Sequence, residues 1–117
     1  MRNFKELKIW QKGFDMAVKS FQLTASFPKE ERFGICSQIT RAAVSVPSNI
    51  AEGSSRSSMK DYHRFIEISL GSTYELETQL LISRAVNFGD CDLTNKFLQD
   101  ITEEQKMLIG FLNSLNK

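Results

Sequence analysis

The sequence predicts an all-α fold, an antiparallel up-down-up-down four-helix bundle. Apolar residues recur at steps of three and four along most of the 117 residues, and the breaks between the periodic segments are short and hold proline, glycine or asparagine. The composition, 41% hydrophobic and 25% charged, suits one globular core. Because short connections place consecutive helices side by side in opposite directions, we expect a single domain over residues 1–117.

The first predicted helix carries two stripes at helical spacing. We expect its apolar stripe to face the core: Leu7, Trp10, Phe14, Val18 and Phe21. The second stripe predicts a basic outer side: Lys5, Lys8, Lys12 and Lys19. Pro28 ends the helix, since proline cannot continue the hydrogen-bond ladder and disfavours helix at the preceding residue.

The second predicted helix begins near Phe33 and contains a proline. Pro47 removes the hydrogen bond to the carbonyl of Ala43, which predicts a kink near Pro47; two short helices split at Val46 are the alternative. Gly53 is expected to end the helix in a left-handed conformation. The inward stripe is Ile35, Ile39, Ala42, Val46 and Ile50.

The third predicted helix is the longest. Ser58 and Asp61 resemble an N-terminal capping box, and Gly71 with Ser72 narrows the middle so that another backbone can approach. The segment Asn87–Asp90 closes it. Its inward stripe is Tyr62, Ile66, Ser69, Thr73, Leu76 and Leu80. The last helix starts near Leu93 and directs these residues inward: Phe97, Ile101, Leu108, Phe111 and Leu115.

Residues that could carry out catalysis are scarce. His63 is the only histidine, and no nucleophile and base can be paired with it. The carboxylates Glu67, Glu75 and Glu77 raise the question of a metal centre, but no Glu-x-x-His pair accompanies them. We therefore expect no enzymatic activity, no cofactor, no metal and no small-molecule substrate.

Cysteine spacing and hydropathy indicate the compartment. Cys36 and Cys91 lie far apart without CxxC or Cys/His spacing, which predicts reduced thiols. No apolar run approaches the roughly 18 residues that span a bilayer, and the first residues lack the apolar stretch of a signal peptide. We expect a cytoplasmic protein that does not enter a membrane.

Charge is unevenly distributed along the chain. The total is +1, yet residues 1–64 carry 11 Lys/Arg against 6 Asp/Glu, and residues 65–117 carry 4 against 8. This pattern suits a basic face that contacts RNA or DNA, copies that meet head to tail, or simply mixed solvated faces. Serines around Arg56 could hold a phosphate at the start of the third helix, or only cap it. The candidate nucleic-acid or anion contacts are Lys5, Lys8, Lys12, Arg56, Lys60 and Arg64.

A stripe of small and polar residues runs along the second helix beside its apolar stripe. Arg41 and Glu52 lie eleven residues apart, on nearly the same side of the helix. Such a stripe can face solvent, or it can face a neighbouring subunit with Arg41 bonded to a carboxylate such as Glu75 or Glu77; we predict the second. The candidate interface comprises Gln38, Arg41, Ser45, Ser48, Asn49, Glu52, Glu75 and Glu77.

Longer strings of the sequence carry a family resemblance. They are the run from Gln38 to Gly53 (QITRAAVSVPSNIAEG) with Arg56, Gly71-Ser72 followed by Glu75–Leu80 (ELETQL), the opening Phe4–Leu7 with Trp10–Lys12, and Phe27-Pro28. Together they resemble the four-helix bundle proteins encoded in intervening sequences of bacterial 23S ribosomal RNA genes. The resemblance covers essentially the whole chain.

This resemblance implies an assembly. Proteins of this family, and the similar accessory variability determinant proteins of diversity-generating retroelements, form rings of five subunits and have no established enzymatic activity. The retroelement proteins also bind nucleic acid through basic surfaces. The implied partner is therefore the chain itself, as a homo-oligomer and specifically a homopentamer, with RNA or DNA as a second partner. The near-neutral charge departs from the basic retroelement proteins and weakens the second implication.

Overall fold

Four long helices make up the computed structural model, which describes residues 2–116. They are α1 (Lys8–Thr24), α2 (Ile35–Ser54), α3 (Met59–Ala85) and α4 (Cys91–Leu115), with short 3-10 turns at Phe4–Glu6 and Lys29–Glu31. Each helix packs against the next one in the chain, and α1 also packs against α4. The molecule measures 44 × 22 × 20 Å, so its length is that of its longest helix at about 1.5 Å per residue. The predicted all-α four-helix bundle is confirmed.

The helix ends follow local sequence chemistry. The Ser58 side chain accepts a hydrogen bond of 3.0 Å from the Asp61 amide, as predicted, and Asp90 caps α4 by accepting from the amides of Asp92 and Leu93. Asn87 and Gly89 both adopt positive φ, which closes α3 at the predicted place. α2 begins at Ile35 and α4 at Cys91, each two residues from the predicted start.

Two glycines act differently from the prediction. Gly53 lies inside α2 without positive φ, and α2 ends at Ser54. Its lack of a side chain instead allows α3 to approach, because a Cβ there would lie 2.6 Å from Phe65 Cβ. Outside its own turns of α3, Gly71 has no atom of residues 2–116 within 4 Å of such a Cβ, so no other backbone in that range packs against it. The helix continues through Pro47, which excludes two helices split at Val46; the kink remains a prediction.

The core confirms three of the four predicted stripes. In α2, Ile39, Ala42, Val46 and Ile50 are buried, and so are all six predicted residues of α3 and the α4 residues Phe97, Ile101 and Leu108. The remaining predicted residues are half-buried against the core: Ile35, Phe111 and Leu115. The stripe predicted for α1 is wrong at three of its five positions, while Leu7 and Trp10 are half-buried against the core. Phe14 and Phe21 are 51% and 58% exposed and Val18 is also exposed. The buried face of α1 consists of Ile9, Gly13, Met16, Ala17, Ser20 and Leu23.

Candidate functional site

An exposed apolar surface lies where α1 meets α2. We call it the α1–α2 apolar face and define it by Trp10, Phe14, Val18, Phe21 and Val44. These residues line a groove of about 340 Å³ whose floor includes the buried Ala17 and Pro47. The rings of Trp10 and Phe14 lie 5.2 Å apart, which fixes the aromatic edge of the groove. A contiguous apolar surface that a monomer leaves open is typical of a protein–protein contact.

The small polar stripe of α2 borders this face. Ser48 lines the α1–α2 groove, while Arg41 and Ser45 line an adjoining groove with Phe21 and Val44. Ser45 and Ser72 share a hydrogen bond of 2.8 Å across the α2–α3 contact. Arg41, Ser45 and Ser48 of the predicted interface therefore adjoin the α1–α2 apolar face. The sequence did not reveal this because Phe14, Val18 and Phe21 were assigned to the core.

Hydrogen bonds within the chain hold several of the predicted interface residues. The Asn49 side chain donates to the Ser45 carbonyl at 2.8 Å and to its hydroxyl at 2.9 Å. Glu77 accepts from Gln105 at 2.9 Å, and Glu75 accepts from Gln79 at 3.2 Å. Gln38 is exposed at the start of α2. These bonds fix the side chains of α3 and α2 before any partner binds.

Arg41 is a charged residue in the groove that adjoins the α1–α2 apolar face. It is exposed and forms no ion pair with any residue between 2 and 116. Because Ser45 meets Ser72 and the helices are antiparallel, Arg41 and Glu75 lie at the same level, about one turn further along. The intramolecular geometry does not join them. Glu52, at the other end of the stripe, binds Arg56 at 3.1 Å.

Two of the four lysines on the predicted basic side of α1 form ion pairs, mostly with carboxylates of α4. Lys12 binds Asp100 at 3.4 Å and Glu103 at 2.8 Å, and Lys19 binds Asp15 at 2.9 Å and Asp100 at 3.3 Å. These carboxylates raise the pKa of both lysines above the usual value, against the opposing effect of burial. The basic first half thus pairs in part with the acidic second half inside one molecule, and Lys12 is not a free cation.

The other candidate nucleic-acid contacts lie on elements that meet at one end of the bundle. Lys5 and Lys8 lie at the start of α1, and Lys60 and Arg64 in the first turns of α3. Arg2, which the sequence analysis missed, joins the two by donating to the carbonyls of Ser54 at 3.3 Å and Arg56 at 2.7 Å. We call Arg2, Lys5, Lys8, Arg56, Lys60 and Arg64 the basic end.

Several features reduce the positive charge of the basic end. Arg56 is paired with Glu52 and stacks on Phe65 at 4.8 Å, while Asp61 and Glu67 lie beside Lys60 and Arg64 in a groove of about 540 Å³. The hydrogen bonds of the serines around Arg56 favour helix capping over a phosphate site. The hydroxyls of Ser54 and Ser55 donate to carbonyls of α2, and Ser58 caps α3.

Other sequence observations have plain structural counterparts. His63 lies 3.4 Å from Glu67 on the surface of α3. Cys36 is buried and Cys91 exposed, and both are free thiols. Among residues 2–116, no three His, Cys, Asp or Glu side chains converge as metal ligands, and no helix is long and apolar enough to cross a membrane.

Glu104 is a buried charged residue that the sequence patterns did not single out. It is fully buried in α4, and neither carboxylate oxygen has a hydrogen-bond partner among the described residues. Burial raises its pKa to about 8, although the nearby charge of Lys12 acts in the opposite direction. A signal was present in the sequence, because Glu104 is in phase with Phe97, Ile101 and Leu108 on the inward stripe of α4.

Comparisons with known proteins place the chain in a family. The family model described as 23S rRNA-intervening sequence protein matches residues 5–110. A crystal structure of a protein of unknown function from the S23 ribosomal protein family of Bacteroides thetaiotaomicron VPI-5482 is similar, with a TM-score of 0.82, 25% identity, and coverage of 89% of this chain and 97% of that one. No curated protein matches. The chain belongs to the 23S rRNA-intervening sequence protein family.

Proposed function

We propose that this protein is a non-enzymatic homo-oligomer that acts as an assembly or interaction module. The observation that carries the proposal is the α1–α2 apolar face, where Phe14, Val18, Phe21 and Val44 are all exposed on one surface of the isolated chain. When a partner removes these exposed apolar side chains from water, the complex is stabilised by about 25 cal/mol per Å² of apolar surface buried.

The charged residues near this face support the view that the partner is a second copy of the chain. Among residues 2–116, Arg41 beside the apolar face has no ion-pair partner, and the carboxylates of Glu75 and Glu77 on α3 accept only from neutral amides. A head-to-tail contact would let Arg41 of one copy bind a carboxylate of the next, which is a charge-assisted hydrogen bond. Such heterologous contacts form a ring when the rotation between successive copies closes and a filament when it does not. The resemblance described above implies a ring of five.

The assembly proposal predicts that one charged substitution on the apolar face separates the subunits. We expect native mass spectrometry of the wild type to give a multiple of 13.4 kDa, and Phe21→Glu to give the single-chain mass, because a carboxylate on the face would be desolvated in the contact. Ile109→Glu is the matched control, since Ile109 is an exposed apolar residue on α4, and we expect it to keep the wild-type mass. A wild type that is a monomer at micromolar concentration contradicts the proposal.

A second candidate function, RNA or DNA binding, is favoured by one observation. Arg2 ties the segment before α3 to the start of the chain, so Lys5, Lys8, Lys60 and Arg64 lie on elements that share one end of the bundle. Cations gathered at one end can contact several phosphates of a structured RNA, and each contact releases counterions.

Nucleic-acid binding predicts a steep dependence on salt. We expect wild-type affinity for structured RNA to fall as salt rises from about 50 mM, and Arg64→Glu to weaken binding and lower the salt slope by about one or more. Lys96→Glu on α4, remote in sequence from the basic end, should behave like the wild type. The absence of detectable binding at about 50 mM salt would remove this candidate.

A further inference from the structure

Glu104 lies where Gly13 brings α1 close to both α2 and α4. Gly13 of α1 faces it, and a Cβ built on Gly13 would be 3.0 Å from Glu104 Oε2, 3.2 Å from Val46 Cγ1 and 3.4 Å from the Pro47 nitrogen. The carboxyl group therefore reaches from α4 to the point where α1 rests on α2. It is fully buried there without a hydrogen-bond partner among residues 2–116.

No cation among the charged residues that the structure describes around Glu104 is bound to Glu104 itself. Lys12 of α1 acts on Glu104 but binds Asp100 and Glu103 of α4, and Lys19 of α1 binds Asp100 as well. The buried residues of α2 and α3 include two other titratable groups, Cys36 and Tyr62, which belong to opposite core clusters. Ionised Glu104 would thus be a buried carboxylate without a dedicated partner, a costly state.

The contact between α1 and α2 beside Glu104 adjoins the open groove. Pro47 touches the space beside Gly13 and also forms part of the floor of the open groove on the α1–α2 apolar face. Gly13 presents no side chain in this wall. An ionised carboxylate gains solvation if α1 moves away from α2 here, whereas the neutral acid needs less solvation and tolerates the closed packing.

We propose that Glu104 is a proton-dependent latch on α1: the neutral acid permits Gly13 to close against Val46 and Pro47, and loss of the proton loosens α1 from α2. The latch does not depend on the proposed assembly, because every contact it uses lies within one chain. Its consequence reaches the surface, since α1 supplies Trp10, Phe14, Val18 and Phe21 to the α1–α2 apolar face. Alkaline pH would therefore alter that face.

Trp10 provides the test. It is the only tryptophan, it lies on α1 three residues before Gly13, and it contacts Phe4 and Phe14, so its fluorescence reports the position of α1. We expect the wild-type emission to change between about pH 7 and pH 9 in one transition, and Glu104→Gln to abolish that transition because glutamine carries no proton to lose. Glu103→Gln, an exposed neighbour, is the matched control and should retain it.

A second measurement covers the case in which Glu104→Gln does not fold. In wild-type protein labelled with ¹³C at glutamate side chains, the Glu104 carboxyl signal should titrate in the same pH range as the tryptophan emission. An emission transition that persists unchanged in folded Glu104→Gln overturns the latch. So does a Glu104 carboxyl that titrates with the exposed glutamates.

Discussion

We expect Glu104→Gln to raise the free energy of unfolding by about 3 kcal/mol near pH 7, with an effect that depends on pH. Burial raises the pKa of this carboxyl from its usual 4.5 to about 8 in the folded chain. Between these two pH values the chain must bind a proton when it folds. Each pH unit in this range therefore lowers the free energy of unfolding by about 1.4 kcal/mol. Glutamine has nearly the same shape and takes up no proton.

The sign follows from the direction of the pKa shift. The stabilising contribution of the neutral carboxyl is fully present below pH 4.5 and is lost as pH rises towards about 8. The wild type should therefore become less stable across this range, while Glu104→Gln should change less. Urea unfolding followed by circular dichroism should give similar values for the two proteins near about pH 4.5 and a growing difference above it.

A matched control separates burial from the loss of a carboxylate. Glu103 lies next to Glu104 in α4, is exposed, and binds Lys12 at 2.8 Å. Glu103→Gln should lower stability by less than about 1 kcal/mol, because exposed ion pairs contribute little. A Glu104→Gln difference that stays constant from acid to alkaline pH would contradict the proton uptake argument.

The parts of the fold that the sequence predicted are those governed by periodicity and turn chemistry. The stripes of α2 and α3 were identified because large apolar residues alternate there with polar ones, and the stop at Asn87 and Gly89 because few residues adopt positive φ. Both signals are local. They need no knowledge of what packs against the helix.

The wrong face of α1 was predicted to be buried, because the large aromatic side chains Phe14 and Phe21 of this helix are not the buried ones. Its buried face uses Gly13, Ala17 and Ser20, which let α1 lie close to its neighbours, while the larger Phe14 and Phe21 remain outside. A pattern that ranks residues by apolar area assigns the aromatics to the core, whereas close packing selects small residues. The same error hid the α1–α2 apolar face, the main candidate site.

Charged positions were the least predictable. Lys12 and Lys19 look like solvated cations in the sequence, yet they meet Asp100, which lies more than eighty residues away. Glu104 looks like one of several surface carboxylates, and only the phase of α4 places it inside. Ion pairs and buried charges depend on which helices become neighbours, and that information is tertiary.

Two glycines of the bundle should respond oppositely to the same substitution. We expect Gly53→Ala to lower the free energy of unfolding by about 2 kcal/mol, because its Cβ would lie 2.6 Å from Phe65 Cβ and 3.3 Å from Tyr62 Cδ1. Phe65 Cβ is bonded to the backbone, so no change of rotamer relieves the contact, and α2 must move away from α3.

Gly71→Ala is the matched case without that contact. Gly71 lies in the interior of α3, and no other element of residues 2–116 has an atom within 4 Å of an added Cβ. Alanine should therefore raise the free energy of unfolding by about 1 kcal/mol through helix propensity alone. Thermal unfolding of the three proteins, monitored by circular dichroism, should place Gly71→Ala above and Gly53→Ala below the wild type. If Gly71→Ala instead folds as a monomer, Gly71 lies in a contact between copies. A methyl group on an exposed helix surface can disturb only another subunit that packs against that surface.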